Sequence, residues 1–209
     1  MMSPRLHNGY EQNGRVYKSP VGQIPKIVNN FKPLTDNQKL FFQKMSDFKT
    51  QLILCHGIAG TGKTYVSIYK ALQDVLRRGT PYNKLMIINP TVDVGNEDKL
   101  GFLPGELDKK IQQYNESTFT ILDNIVGKEK AKKLITDGKV EIGVLNFLRG
   151  VNLENCYVIL DEAQNVSPMQ IKTLMTRISH DCKMIIQGDM SQCDKYKNNG
   201  VMDYERSGF

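Results

Sequence analysis

Hydrophobic residues along the chain fall into short continuous runs separated by longer mixed segments. Five of these runs predict β-strands, at residues 52–55, 85–88, 140–145, 157–160 and 184–186. All but the third are continuously apolar, which is typical of strands buried on both faces of a parallel sheet. The pattern predicts an α/β fold, in which a doubly wound parallel sheet of about five strands is flanked by helices.

Apolar residues at helical spacing predict helices between the strands. One helix starts near Asp36, after a capping-box sequence, a second ends before Gly79, and a third starts at Ser167 and runs to Ile178. Ligands of such sheets lie beyond the carboxyl ends of the strands. Functional side chains are therefore expected directly after each strand.

Composition separates a basic arm from one folded domain. Proline and glycine recur in residues 1–33 and predict an irregular arm, whereas residues 34–209 read as a single domain. The net charge is +6, and residues 1–50 carry eight Lys or Arg against three acidic residues. This basic segment is either a solvated surface or a contact for a phosphate-rich partner such as nucleic acid.

No apolar run approaches the roughly 18 residues that a membrane helix needs, and the first residues lack the apolar core of a secretory signal. The four cysteines show no metal-ligand spacing and read as small structural hydrophobes. We therefore expect a cytoplasmic protein without a membrane segment.

A glycine-rich loop follows the first predicted core strand and opens the second helix. Its eight residues are Gly57, Ile58, Ala59, Gly60, Thr61, Gly62, Lys63 and Thr64. Glycines let consecutive N–H groups converge on phosphate oxygens at the positive end of a helix. The spacing predicts that Lys63 bridges the β- and γ-phosphates of ATP and that the Thr64 hydroxyl binds Mg²⁺. The alternative is a glycine-rich turn, which would match this pattern by chance in about one chain in a hundred.

Two adjacent carboxylates, Asp161 and Glu162, end the strand at residues 157–160. Because successive strand residues point to opposite sides, Asp161 can serve the metal while Glu162 faces the attacking water as a base. The alternative is a pair that merely caps a loop. Asp189 and Gln192 follow the last strand in the same way, and the glutamine could report on the γ-phosphate.

With these segments the chain resembles the PhoH-like P-loop ATPases, which look like the first motor domain of superfamily 1 helicases. The resemblance spans residues 34–194 and implies a RecA-like P-loop fold. Its motifs are GIAGTGKT at residues 57–64, KLGFLPG at 99–105, FLRG at 147–150, DEAQN at 161–165, TRI at 176–178 and GDMSQ at 188–192.

The resemblance implies roles that agree with those drawn from the residues, namely phosphate and metal for the loop, metal for Asp161, base for Glu162 and γ-phosphate sensor for Gln192. It also matches Gln38 to a glutamine that reads adenine in related helicases, although Gln38 is equally explained by its capping box. Gln164 matches a position that links the nucleotide to the rest of the motor, or is an exposed loop amide.

Helicase-like motors of this superfamily take arginines from a second domain, which 209 residues do not accommodate. We therefore expect an arginine from a neighbouring subunit, Arg177 or Arg149, within a homo-oligomeric ring such as a hexamer. Arg177 could instead favour a helix end, and Arg149 a loop carboxylate. The chain also ends soon after Gln192, so a truncated or minimal member is expected.

The leading hypothesis is an ATP hydrolase that uses Mg²⁺ and couples turnover to RNA or single-stranded DNA, or to a partner protein. The alternative is a nucleotide-gated binding module with little turnover. A small-molecule kinase is disfavoured by the carboxylate pair.

Overall fold

The structure is a computed structural model that describes residues 9–12, 15–18, 30–90, 115–144, 152–179 and 181–192. In chain order its elements are β1 (Gly9–Gln12), β2 (Arg15–Lys18), α1 (Asp36–Ser46), β3 (Leu52–His56), α2 (Lys63–Val75), β4 (Lys84–Asn89), α3 (Glu116–Val126), α4 (Lys128–Thr136), β5 (Val140–Val144), β6 (Cys156–Leu160), α5 (Pro168–Met175) and β7 (Lys183–Gly188). Two 3-10 turns lie at Ala163–Asn165 and Met190–Gln192.

The central sheet contains five strands in the order β3-β7-β6-β4-β5, and all neighbours run parallel. This confirms the predicted α/β fold. The order places β7 between β3, which leads into the glycine-rich loop, and β6, which leads into the carboxylate pair. The carboxyl ends of these three strands therefore lie side by side.

Alternate residues of the central strands pack into two separate cores. On one face Tyr157, Ile159 and Ile185 pack with apolar residues of α1, α2, α3 and α4. On the other face Val158 and Leu160 pack with α5 and the first 3-10 turn. Every residue of β6 and β7 is buried, which explains why these strands read as continuous apolar runs.

A buried polar network anchors the end of α1 to the sheet. The Lys183 ammonium donates to two carbonyl oxygens at the end of α1, at 2.6 and 2.7 Å. The Tyr157 hydroxyl shares its single proton between the carboxylate of Asp74 at 2.8 Å and the carbonyl oxygen of Met45 at 3.1 Å. Burial lowers the pKa of Lys183 from its ordinary value of 10.5 to about 8. The network satisfies carbonyl groups that a helix end leaves open.

The structure adds a strand pair to the predicted arm and shortens one predicted helix. The arm expected to be irregular contains an antiparallel pair, β1 and β2; the Asn13-Gly14 sequence between these strands is a hairpin signal that outweighs the other glycines. The third helix ends at Met175, before Ile178, because Ile178 forms a parallel bridge with Leu153. No helix among the described residues is both long and apolar enough to span a bilayer.

Candidate functional site

The glycine-rich loop joins β3 to α2 through two glycines in the left-handed region. Gly60 has φ +78° and Gly62 has φ +82°, a conformation that costs other residues free energy. A Cβ at Gly62 would also lie 3.3 Å from the side-chain amide nitrogen of Gln38. Gly62 caps α2 without a side-chain hydrogen bond, so the first N–H groups of the helix can bind an anion.

Lys63 folds back across this loop. Its ammonium donates to the carbonyl oxygens of Gly57 at 2.6 Å and Ile58 at 3.0 Å. The positive charge therefore lies inside the curve of the loop, where a bound phosphate would replace the carbonyl oxygens as its acceptor.

Thr64, Asp161 and Gln187 form a closed group of three polar side chains. The Thr64 hydroxyl donates to Asp161 Oδ2 at 2.9 Å. The Gln187 amide donates to Asp161 Oδ1 at 2.9 Å and to Thr64 Oγ1 at 3.1 Å. A hydroxyl and a carboxylate are the hard oxygen ligands that suit Mg²⁺, so Thr64 and Asp161 fit the metal role predicted for them.

Glu162 diverges from Asp161 because the strand has already ended. β6 stops at Leu160, and Glu162 has φ 49° and ψ 40°, in the left-handed region. The two carboxylates do separate, but the predicted cause, strand alternation, does not apply beyond Leu160. Asp161 is buried and Glu162 is exposed, and the Gln164 amide donates to Glu162 Oε2.

The segment after β7 lies between the glycine-rich loop and the turn after β6. Asp189 Oδ2 accepts the Ala59 N–H at 2.8 Å, which ties it to the glycine-rich loop. Hydrogen bonds from Ser191 hold the pKa of Asp189 below its ordinary value. The Asp189 N–H in turn donates to Gln164 Oε1 at 3.0 Å. Gln164 is buried, which excludes the alternative of an exposed loop amide.

One cavity of about 260 Å³ lies between the glycine-rich loop, the carboxylate pair and the segment after β7. Its lining residues are Ala59, Gly60, Gly62, Lys63, Thr64, Tyr65, Ile121, Asp161, Glu162, Gly188, Asp189 and Gln192. Gln192 thus lines the same cavity as Lys63 and Asp161.

A second cavity of about 400 Å³ adjoins the first across Gly62. It is lined by Phe31, Gln38, Gly62, Tyr65, Val66 and Asn124. The Phe31 and Tyr65 ring centroids are 5.3 Å apart. The Gln38 amide donates to the carbonyl of Thr61 at 2.9 Å, while its carbonyl accepts the Leu34 N–H rather than completing a capping box with Thr35.

Sequence reasoning did not find Gln187, Phe31, Tyr65 or Asn124. Gln187 directly follows the predicted apolar run at residues 184–186, and Phe31 lies in the predicted irregular arm, so neither position carries a recognisable motif. Arg177 lies beside Leu153, which precedes β6, and so is at the amino end of the sheet, away from the cavity. Arg149 lies outside the described residues.

Comparisons with known proteins agree with this reading of the motifs. A family model described as "PhoH-like protein" matches residues 30–207. A PhoH-like protein of Bacillus subtilis (strain 168) is 40% identical over 146 residues, which is 70% of this chain and 44% of that protein. A PhoH-like protein of Synechocystis sp. is 37% identical over 160 residues, 77% of this chain and 46% of that protein. Protein PhoH of Escherichia coli (strain K12) is 35% identical over 146 residues, 69% of this chain and 40% of that protein.

The chain spans less than half the length of each of these relatives. Among solved structures, the Pyrococcus furiosus Hef helicase domain is similar with a TM-score of 0.46 and 14% sequence identity. That likeness covers 82% of this chain and 36% of the other.

Proposed function

The chain belongs to the PhoH-like protein family, and we propose that it is an ATPase that binds ATP with Mg²⁺ and hydrolyses it to ADP and phosphate. One observation carries the proposal. Lys63 and Thr64 from the start of α2, the carboxylates after β6, and the residues after β7 all line the same cavity. A cation, hard oxygen ligands and an exposed carboxylate around a glycine-rich loop are what phosphoryl transfer to water requires.

Different groups of the chain would bind the phosphates, the metal ion and the base. N–H groups at the start of α2 and the ammonium of Lys63 would hold the β- and γ-phosphates, since both present positive charge to the cavity. Thr64 and Asp161 would hold the Mg²⁺, which when bound neutralises charge on the phosphates and orients them. Phe31 and Tyr65 would pack against the base, with the Gln38 amide near its edge.

Glu162 is the group proposed to receive a proton. In hydrolysis the water oxygen bonds to the γ-phosphorus, the bond from that phosphorus to the β,γ-bridging oxygen breaks, and a water proton moves to the carboxylate of Glu162. The hydrogen bond from Gln164 fixes this carboxylate, and its exposed position leaves the other oxygen open to water.

The test separates binding from turnover. Glu162→Gln should still bind ATP with Mg²⁺, followed with a fluorescent ATP analogue, but should release phosphate at least about 100-fold more slowly, because an amide cannot accept the proton. Glu129→Gln, on the exposed surface of α4, is the matched control and should keep wild-type turnover. Wild-type phosphate release by Glu162→Gln would assign the base elsewhere.

The second candidate, a nucleotide-gated binding module with little turnover, is favoured by one specific feature. None of the described residues that line the cavity is an arginine, and an arginine at the γ-phosphate raises turnover by about 10³–10⁵. Coupling to RNA or single-stranded DNA and assembly into a ring are proposals that rest on the family resemblance. ATP turnover measured with and without each polymer decides between motor and module, because stimulation is expected only of a motor.

A further inference from the structure

Gln187 is a buried amide near the carboxyl end of β7, an interior strand of the sheet. It follows Met184, Ile185 and Ile186 on β7, and it is 1% exposed. Both protons of its side-chain nitrogen are engaged, one by Asp161 and one by Thr64. Its Oε1 is buried and has no hydrogen-bond partner among the described residues.

An unpaired buried carbonyl oxygen opposes folding. A leucine or methionine would fill the same position without that cost, so the stability of the sheet does not explain a glutamine here. The reverse orientation of the amide is excluded because it would set Oε1 against the carboxylate of Asp161. The two donated hydrogen bonds are therefore what the residue contributes.

Those bonds fix the orientation of the two oxygen ligands. The Thr64 hydroxyl gives its proton to Asp161 and accepts one from Gln187, which leaves a single lone pair of Oγ1 free. Asp161 Oδ1 accepts from Gln187 and from the Glu162 N–H, which prevents rotation of the carboxylate. Thr64 and Asp161 line the cavity, whereas Gln187 lies behind them.

We propose that Gln187 is a positioning residue for the divalent cation, holding the oxygens of Thr64 and Asp161 in one arrangement before the cation enters. The inference rests on the proposed function, because the cation arrives with the nucleotide. Groups that orient metal ligands in this way typically contribute 10- to 100-fold in metal affinity.

The first experiment measures binding of a fluorescent ATP analogue against free Mg²⁺ concentration, with an EDTA baseline. In Gln187→Met, which keeps the volume and loses the donors, the Mg²⁺ concentration for half-maximal binding should rise about 10- to 100-fold, while binding in EDTA stays unchanged. Ile185→Met, a core change on the same face of β7, controls for altered packing and should leave the Mg²⁺ midpoint in place.

The outcomes keep the two proposals apart. A wild-type protein that binds no ATP analogue contradicts the proposed function itself. Normal binding with the same Mg²⁺ midpoint in wild type and Gln187→Met overturns only the role of Gln187. An equal loss of binding in EDTA and in Mg²⁺ also overturns it, since it would indicate general damage.

The second measurement needs no variant. In the wild-type protein loaded with a non-hydrolysable ATP analogue, the side-chain amide signals of Gln187 should shift in NMR spectra when Mg²⁺ is added. The Gln73 amide, which donates to the Tyr69 hydroxyl at 3.2 Å within α2, is the matched control and should not move. A Gln187 signal that is unchanged by Mg²⁺ would overturn the proposal even if Gln187→Met failed to fold.

Discussion

Gly188→Ala tests how tightly the end of β7 packs against the turn after β6. A Cβ at Gly188 would stand 2.5 Å from Gln164 Oε1 and 3.2 Å from the backbone nitrogens of Ala163 and Gln164. The amide of Gln164 cannot simply turn away, because it is buried and bonded to the Asp189 N–H and to Glu162. The added methyl group must therefore break a hydrogen bond or displace backbone.

The expected loss of unfolding free energy combines two costs. Overpacking of a tight site costs about 1–3 kcal/mol, and a buried hydrogen bond left unmade costs about 1–3 kcal/mol. Since the two costs are not additive, we expect a total of about 2–5 kcal/mol. The phosphate release rate should also fall, because Glu162 loses the partner that orients its carboxylate.

Urea unfolding followed by circular dichroism gives the free energy, and Gly143→Ala is the control. A Cβ at Gly143 on β5 meets no atom within 4 Å, so alanine there should be neutral or stabilise by up to about 1 kcal/mol. In a Gln164→Ala background the 2.5 Å contact is removed and only the backbone contacts remain. Gly188→Ala should then cost about 1–2 kcal/mol less than in the wild type. An equal cost in both backgrounds, or a Gly188→Ala protein as stable as wild type, would refute the reasoning.

Three further predictions concern charge and assembly. Lys63→Ala should lose ATP affinity by at least about tenfold in calorimetry, since Lys63 is the lysine that lines the cavity; unchanged affinity would contradict its role. Between pH 8 and 10.5 the unfolded chain keeps the Lys183 proton that the folded chain has lost. The free energy of unfolding of the wild type should therefore rise with pH by up to about 3 kcal/mol relative to Lys183→Met. Parallel pH profiles of the two proteins would show that Lys183 titrates normally. If Arg177 or Arg149 acts from a neighbouring subunit, ATPase activity per chain should rise with protein concentration. Mixing an arginine variant with Lys63→Ala should also restore some hydrolysis. Activity per chain that does not change on dilution would refute a site shared between subunits.

The strands were predictable because a strand that is buried on both faces is apolar at most of its positions. β6 and β7 are buried throughout, and their apolar runs were recognised to within two residues at each end. α3 and α4 were not predicted. No side-chain cap marks the start of either helix, and they are separated only by Gly127, with φ 84°, so the local signals were weak.

The loop and the carboxylate pair could be predicted because each is a local motif after a strand. Contacts between residues that are far apart in the chain could not be predicted from local sequence. Gln187 contacts Thr64 over a separation of 123 residues. This contact requires β7 to pair with β3, and the sequence of a single strand does not show which strand it will pair with. The same applies to Phe31, which lies before α1 and whose ring contacts that of Tyr65 on α2.

The position of β7 also has a consequence for how the protein is made. In the described sheet β3 pairs with one strand only, and that strand is β7. The Gly57 N–H donates to the Gly188 carbonyl, and the Ala59 N–H donates to Asp189. During synthesis the glycine-rich loop therefore leaves the ribosome about 120 residues before the strand that completes it. Until β7 emerges, β3 has no strand partner in this sheet, and an unpaired apolar strand is open to wrong pairing. If the chain binds ATP as proposed, a growing chain should retain ATP only after β7 has joined the sheet.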